Sequence, residues 1–404
     1  MGVRAPVYMD HLATTPVDPR VVEEMVPCFT ETFGNAASRT HAYGWDAQEV
    51  VDGARERVAR LIGAQPKEII FTSGATEANN LAIKGVAQLH PDGHIVTQAT
   101  EHHAVIDPCR ALERLGHRVT VLPVDSHGRV SPEAVEAAIS EETFLVSIMA
   151  ANNEVGTLQP LARIGRICQT RSVLFHTDAT QAVGKVPIDV EAWGIGLLSI
   201  SAHKIYGPKG VGALFVRHRP RVRLVAQIDG GGHERGMRSG TLNVPGIVGL
   251  GYACEIARES MAEEAQRLSA LRDRLLSGIQ AELEGVHLNG HADETLPGCL
   301  NLSFVGIDGE SLLMGLSGIA LSSGSACTSA ALEPSYVLKA LGVPDNLARS
   351  SLRFGLGRFN TEEEVDHVVT RVIAEVDRLR QIAPGPARIR QGREPRQATR
   401  QGGI

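Results

Sequence analysis

The sequence predicts an α/β protein in two domains, and three observations predict it. Short apolar runs, at Ile69–Thr72, His94–Thr97, Phe144–Met149 and Val173–Asp178, alternate with segments of helical period, the pattern of strands separated by crossover helices. The chain has 404 residues, long for one domain and natural for two. At Met261 the pattern changes to a long charged helix with Leu268, Leu271, Leu275 and Ile279 at helical spacing, which puts the domain boundary there. Residues 15–260 form the expected large domain, and 1–14 with 261–383 the smaller one.

Composition narrows the function. With 43% hydrophobic and 21% charged residues the chain is globular. A formal net charge of −6 argues against a body built for nucleic acid. No apolar run reaches the roughly 18–20 residues of a membrane span. Met1–Pro6 has no signal-peptide core, so the expected location is cytoplasmic. The six cysteines (28, 109, 168, 254, 299 and 327) form no Cys-x-x-Cys pair, which indicates neither a zinc site nor a disulfide framework.

In chain order, Val7–Pro16 is an extended segment and turn, Pro19 opens a helix, and Gly34–His41 is a polar loop. Ala47–Ile62 is an amphipathic helix and Ile69–Thr72 a buried strand. Ser73-Gly-Ala-Thr76 then opens a helix whose positive end suits a phosphate, although an ordinary N-cap has the same composition. Strand His94–Thr97 leads to Thr100-Glu-His-His103. Adjacent histidines do not face the same way, so one of them stacking on a flat ring or moving a proton competes only with a plain surface pair. Cys109–Leu115 continues as helix, Val119–Val124 is a strand and Ser131–Ile139 a helix. The strand Phe144–Met149 runs into Asn152-Asn153, at the carboxyl end where open α/β sheets hold ligands, or where turn chemistry also puts asparagines. After helix Ile164–Thr170, strand Val173–Asp178 ends on a carboxylate.

Ser199-Ile-Ser-Ala-His-Lys-Ile-Tyr-Gly207 follows the next apolar run and precedes another, Val211–Val216: strand, turn, strand. Alone, Lys204 reads as a turn lysine. Delivered by apolar strands it is poorly hydrated, which favours a nucleophilic amine. Asp178 lies 26 residues earlier, about one crossover unit. A lysine that bonds to the cofactor aldehyde and an aspartate that keeps its ring nitrogen protonated are two parts of a pyridoxal phosphate site, and a plain ion pair is the alternative. Gly230–Thr241 is a glycine-rich basic loop with Arg235 and Arg238 as anion candidates. Beyond the boundary, Val286–Asn289, Cys299–Phe304 and Leu352–Leu356 are strands, the last carrying Arg353, a carboxylate clamp by type. Gly309–Leu316 and Glu362–Ile382 are helices, and 384–404 is a tail of disordered composition. Cys327 stands among Ser, Gly, Ala and Thr, where a thiol can ionise and move, while the other five cysteines sit in core contexts.

With Asp178, His203-Lys204 and Cys327 together, and with Thr-Ser-Gly-Ala-Thr-Glu77, Thr-Glu-His102, Asn-Asn-Glu-Val-Gly156, Asp-Ala-Thr-Gln181 and Ser-Ser-Gly-Ser-Ala-Cys-Thr-Ser329 in order, the chain resembles the cysteine desulfurases of the housekeeping iron–sulfur type from Tyr8 to about Arg380. The resemblance implies a fold-type-I pyridoxal 5′-phosphate enzyme, with a mostly parallel seven-stranded sheet in the large domain and an α+β small domain. It implies a homodimer that converts L-cysteine to L-alanine and passes sulfur, as a Cys327 persulfide, to an iron–sulfur scaffold protein, to tRNA thiolation and to other acceptors. Lys204 would hold the cofactor, Asp178 its ring nitrogen and Gln181 its phenolic oxygen. Ala75, Thr76, Ser201 and His203 would hold the phosphate, with Thr241 from the other subunit. His102 would stack on the ring and assist proton transfer, and Asn153 and Arg353 would hold the substrate carboxylate. Cys327 would sit on a loop at about 322–334. No resting metal is implied, although Cys327 is a candidate transient ligand to a 2Fe–2S cluster. Ala150-Ala151 departs from the usual His-Val of such proteins, and the tail departs from their scaffold-binding C-terminus. The rivals are a selenocysteine lyase or aminotransferase of the same fold, and a non-catalytic sulfur carrier or assembly platform. Cys327 counts against the aminotransferase, and Lys204 with Asp178 against the carrier.

Overall fold

The computed structural model describes residues 3, 5–323 and 334–382. Cys327 and the tail 384–404 lie outside the described residues. The strands, in chain order, are β1 (Val7–Tyr8), β2 (Ile69–Thr72), β3 (His94–Gln98), β4 (Arg118–Leu122), β5 (Thr143–Ser147), β6 (Leu174–Asp178), β7 (Leu197–Ser201), β8 (Gly212–Val216), β9 (Val286–Asn289), β10 (Cys299–Phe304), β11 (Ile319–Ala320), β12 (Ser322–Ser323) and β13 (Ser351–Gly355).

Seven of them make the main sheet, in the order β2-β8-β7-β6-β5-β3-β4. Only β8 runs against its neighbours; the other contacts are parallel. Every residue of β3, β5, β7 and β8 is buried, because helices cover both faces, and this is why these strands read as continuous runs and not as alternating ones. One face packs a cluster that includes Val51, Ala54, Val58, Phe215, Leu250 and Ala253. The other packs helix Ala75–Ala87 and helix His103–Glu113 through Leu81, Ile83, Val105 and Leu112.

A four-stranded antiparallel sheet, β12-β13-β10-β9, has its own apolar cluster of Leu271, Leu275, Leu302, Phe304, Phe354 and Val372. A two-stranded pair joins β1 to β11. Helix Val244–Glu282 runs unbroken through position 260. Its first half contributes Ile247, Leu250 and Cys254 to the main-sheet cluster and its second half Leu268, Leu271 and Leu275 to the other. The pattern change at Met261 therefore marks a change of packing partner within one helix. Helix Ala42–Leu61 begins five residues before its apolar stripe, because the His41 ring accepts the Gly44 N–H and caps it. Helix His103–Glu113 likewise starts ahead of Cys109, capped by His102.

Candidate active site

Parallel strands put their carboxyl ends on one edge, and the polar residues that follow them converge there. Beyond β2 comes Ser73–Thr76, beyond β3 Glu101-His102, beyond β5 Asn152-Asn153, at the end of β6 Asp178, and beyond β7 a single turn, Ala202–Lys204. Of these, Ser73–Thr76, His102, Asn153, Asp178, His203 and Lys204 line a cavity of about 680 Å³, together with Gln181, Ser201, Ser322 and Arg353. Of the described residues to which the resemblance gives a role at cofactor or substrate, Thr241 alone stays out of this cavity; it is exposed on the chain before helix Val244–Glu282.

Each side chain is held by identifiable contacts. The Lys204 Nζ donates to the carbonyls of Leu12 at 2.5 Å and Ala13 at 2.7 Å. Gln181 donates to the same Leu12 carbonyl at 2.9 Å and accepts from Lys185 at 3.0 Å. Asp178 is buried and accepts from Asn79 Nδ2 at 2.7 Å and from the Thr180 N–H at 3.0 Å. His203 Nδ1 meets Thr14 Oγ1 at 3.1 Å. Burial, then the charges of Lys204 and Lys209, push its imidazole down to about 4, so the ring is neutral at pH 7. Burial also lowers His102, with Lys204 adding to the effect and Asp178 opposing it. Its Nδ1 accepts the Ala104 N–H at 3.1 Å. Arg353, on β13, is buried and forks between Asp10 Oδ1 at 2.8 Å and the Asn153 carbonyl at 2.9 Å.

The edge suits a pyridoxal phosphate group. Helix Ala75–Ala87 points its N-terminus at the cavity, with Gly74 as cap at φ 151°, a conformation reserved for glycine, and with Ser73, Thr76, His203, Lys204 and Lys209 around it. Asp178 stands ready for a ring nitrogen. Asn153 Oδ1, Thr180 Oγ1 and Arg353 Nε are buried without a hydrogen-bond partner. Buried polar atoms are normally satisfied, and these three belong to residues that line the cavity. The residues present therefore fit the cofactor.

Other expectations resolve differently. Arg238 is not an open anion site: it pairs with Glu77 at 2.8 Å. Arg235 donates to the Ile69 carbonyl at 3.2 Å. Ala151 lines the cavity and Ala150 is buried. Cys28, Cys109, Cys168, Cys254 and Cys299 are all buried, and burial raises every one of these thiols, Cys299 to about 12. They are inert core residues. Sequence reasoning missed Asp10, the Leu12 and Ala13 carbonyls, and Asn79. Asn79 had a signal: a polar residue inside an apolar helix stripe, three residues after Thr76 and so on the same side. Main-chain carbonyls leave none.

The sequence matches the family aminotransferase class-V over residues 7–368. It is 58% identical over 392 residues to the cysteine desulfurase IscS of Anaeromyxobacter sp. (strain Fw109-5), covering 96% of this chain and 97% of that protein. It is 56% identical over 384 residues to the cysteine desulfurase of Homo sapiens, covering 95% of this chain and 84% of that protein. Among solved structures, a NifS-like protein superposes with a TM-score of 0.86 at 42% identity, covering 93% of this chain and all of that one. SspA in complex with cysteine gives 0.79 at 39% identity, covering 88% of this chain and all of that one.

Proposed function

The chain belongs to the aminotransferase class-V family, and from that premise we infer how its site works. It is a pyridoxal 5′-phosphate-dependent cysteine desulfurase, which takes sulfur from L-cysteine and leaves L-alanine. The observation that carries this reading is the meeting of Lys204, Asp178, His102 and the Ser73–Thr76 helix start in one cavity that also holds Asn153 and Arg353.

When bound, the pyridoxal ring supplies a sink for the electron pair left at the substrate Cα. The chain's own residues do the rest. Lys204 would hold the cofactor through Nζ and, with that amine free, would take the Cα proton of L-cysteine. The Asp178 carboxylate, fixed by Asn79 and Thr180, would keep the ring nitrogen protonated, and Gln181 would serve the phenolic oxygen. Ala75 and Thr76 at the helix start, with Ser201 and His203, would hold the phosphate, and Thr241 of a second subunit would add to them. His102 would stack on the ring and assist proton transfer. Arg353 and Asn153 orient the substrate carboxylate. The Cys327 thiolate then attacks the substrate sulfur. A sulfur–sulfur bond forms, the Cβ–sulfur bond breaks, and Cβ keeps the electron pair and gains a proton. Alanine and a Cys327 persulfide result, with no outside oxidant.

The persulfide serves iron–sulfur cluster assembly and tRNA thiolation through a scaffold protein and other acceptors. A homodimer is supported by the exposed aromatic group Phe29, Phe33, Tyr43 and Trp45, which includes residues 57–62% exposed in the single chain. A cytoplasmic setting accords with the absence, among the described residues, of any helix long and apolar enough to cross a membrane.

The test is alanine and sulfide release from L-cysteine, with and without Cys327→Ala. The variant is expected to keep its cofactor colour and lose turnover. A wild-type Cys327 peptide that gains no sulfur mass after exposure to L-cysteine would sink the reading.

A further inference from the structure

Glu154 follows the carboxylate clamp directly in sequence and has no role in the chemistry above. The residue is only 3% exposed. It accepts from Ser335 Oγ at 2.5 Å. Its carbonyl accepts from Asn301 Nδ2 at 3.0 Å, on the strand paired with Arg353. Ser335 is eight positions after Cys327 and caps helix Tyr336–Ala340 by accepting the N–H groups of Val337 and Leu338. The next residue, Tyr336, donates to the Glu101 carbonyl at 2.6 Å, beside His102. Val337 and Leu338 pack on Val155. On the other side of Cys327, Ser322 pairs with Arg353 in the β12–β13 ladder. The chain thus leaves from and returns to the Asn153–Arg353 clamp.

The cap on helix Tyr336–Ala340 does not need an acid, since the serine oxygen accepts both N–H groups by itself. Burying a carboxyl is costly, and burial holds this one up at about 7. A buried acid on that serine points to a task beyond capping. We propose that Glu154 is a positioning residue for sulfur transfer: through Ser335 it fixes where the chain carrying Cys327 returns, relative to the clamp that orients the substrate. The inference rests on the desulfurase reading.

The test uses full-length holoenzyme with Glu154→Ala, Glu154→Gln, Ser335→Ala and the Ala/Ala double variant. Displacing a reacting group by an ångström costs up to about 100-fold in rate. Glu154→Ala and Ser335→Ala are expected to lower kcat for alanine formation about 10- to 100-fold, with KM and cofactor absorbance unchanged. The double variant should be no worse than the poorer single, because both remove one contact. Glu154→Gln, which can still bond Ser335, should restore most of the rate. Iodoacetamide labelling of Cys327, read by mass spectrometry, should quicken in Glu154→Ala. Wild-type kcat in Glu154→Ala, additive losses, unchanged labelling, or a loss traced to missing cofactor would each overturn the inference. A wild-type enzyme that forms no alanine would instead overturn the desulfurase reading and this inference with it.

Discussion

Gly212 offers a direct test of the phosphate seat, because it touches no ligand and yet controls the spacing of the elements that would. It is the first residue of β8, paired with Thr72 on one side and Ser201 on the other. Those two residues lead into the Ser73–Thr76 helix start and the Lys204 turn. A Cβ at Gly212 would stand 2.4 Å from the Ile200 carbonyl oxygen and 2.7 Å from the Gly74 Cα. Real Cβ contacts stay beyond 3.0 Å, so the first neighbour must retreat by 3.0 − 2.4 = 0.6 Å and the second by 3.0 − 2.7 = 0.3 Å. Both are backbone, which cannot swing aside. Overpacking of this kind costs about 1–3 kcal/mol. Placed on the cofactor seat, that is about 5- to 150-fold in affinity. Gly212→Ala apoenzyme is therefore expected to bind pyridoxal 5′-phosphate 5- to 150-fold more weakly by absorbance titration, while pyridoxal without its phosphate loses less. Gly318→Ala, where a Cβ meets nothing within 4 Å, should match wild type. Wild-type cofactor affinity in Gly212→Ala would refute the placement of the phosphate at this edge.

Arg353→Lys removes the fork between Asp10 and the Asn153 carbonyl; a charged hydrogen bond lost in a buried site is worth about 1.5–3 kcal/mol, so kcat/KM for L-cysteine should fall about 10- to 150-fold with cofactor affinity unchanged, measured by steady-state kinetics. Lys204→Ala should bind the cofactor without a covalent link, so that borohydride adds no cofactor mass, and alanine formation should drop by about 10²–10⁴-fold or more. Glu154 also predicts a stability profile. Its carboxyl is raised from 4.5 to about 7, so between those values the folded chain holds a proton that the unfolded chain has lost, and stability falls as pH rises through that window. Comparing wild type with Glu154→Gln by thermal melting at pH 5 and pH 8 should show the wild type losing more, by up to about 3 kcal/mol; equal losses would refute the assignment.

Much of the site was legible because parallel strands order it. Asp178, Lys204 and His102 sit at or just past strand ends, and the apolar runs before them give those ends away to within a residue or two. Val286–Asn289, Cys299–Phe304 and Glu362–Ile382 were readable to their termini because charge and turn residues bracket them. The unbroken helix Val244–Glu282 was not, since a change of packing partner alters the apolar face and leaves no break in the backbone. The caps at His41 and His102 were missed because histidine is a poor guide to a helix start. Glu154 and Asn79 were passed over for a different reason: their partners, Ser335 and Asp178, are 181 and 99 residues away.

The least legible part is the stretch from Asp10 to Thr15, and it explains how two separate apolar clusters make one site. In sequence it is an extended segment and a turn. In the fold Asp10 holds Arg353 on the small sheet. Leu12 and Ala13 hold Lys204 by their carbonyls, Leu12 also receives Gln181, and Thr14 meets His203. The Thr15 N–H reaches the His203 carbonyl at 2.9 Å. An ammonium partly withdrawn from water needs acceptors, and the Leu12 and Ala13 carbonyls are two that Lys204 has. The same six residues reach Arg353, the arginine proposed to clamp the substrate, so a short length of backbone ties it to the amine of Lys204. Residues 10–15 thus connect Lys204 with Arg353, which itself lies more than three hundred positions downstream of Asp10.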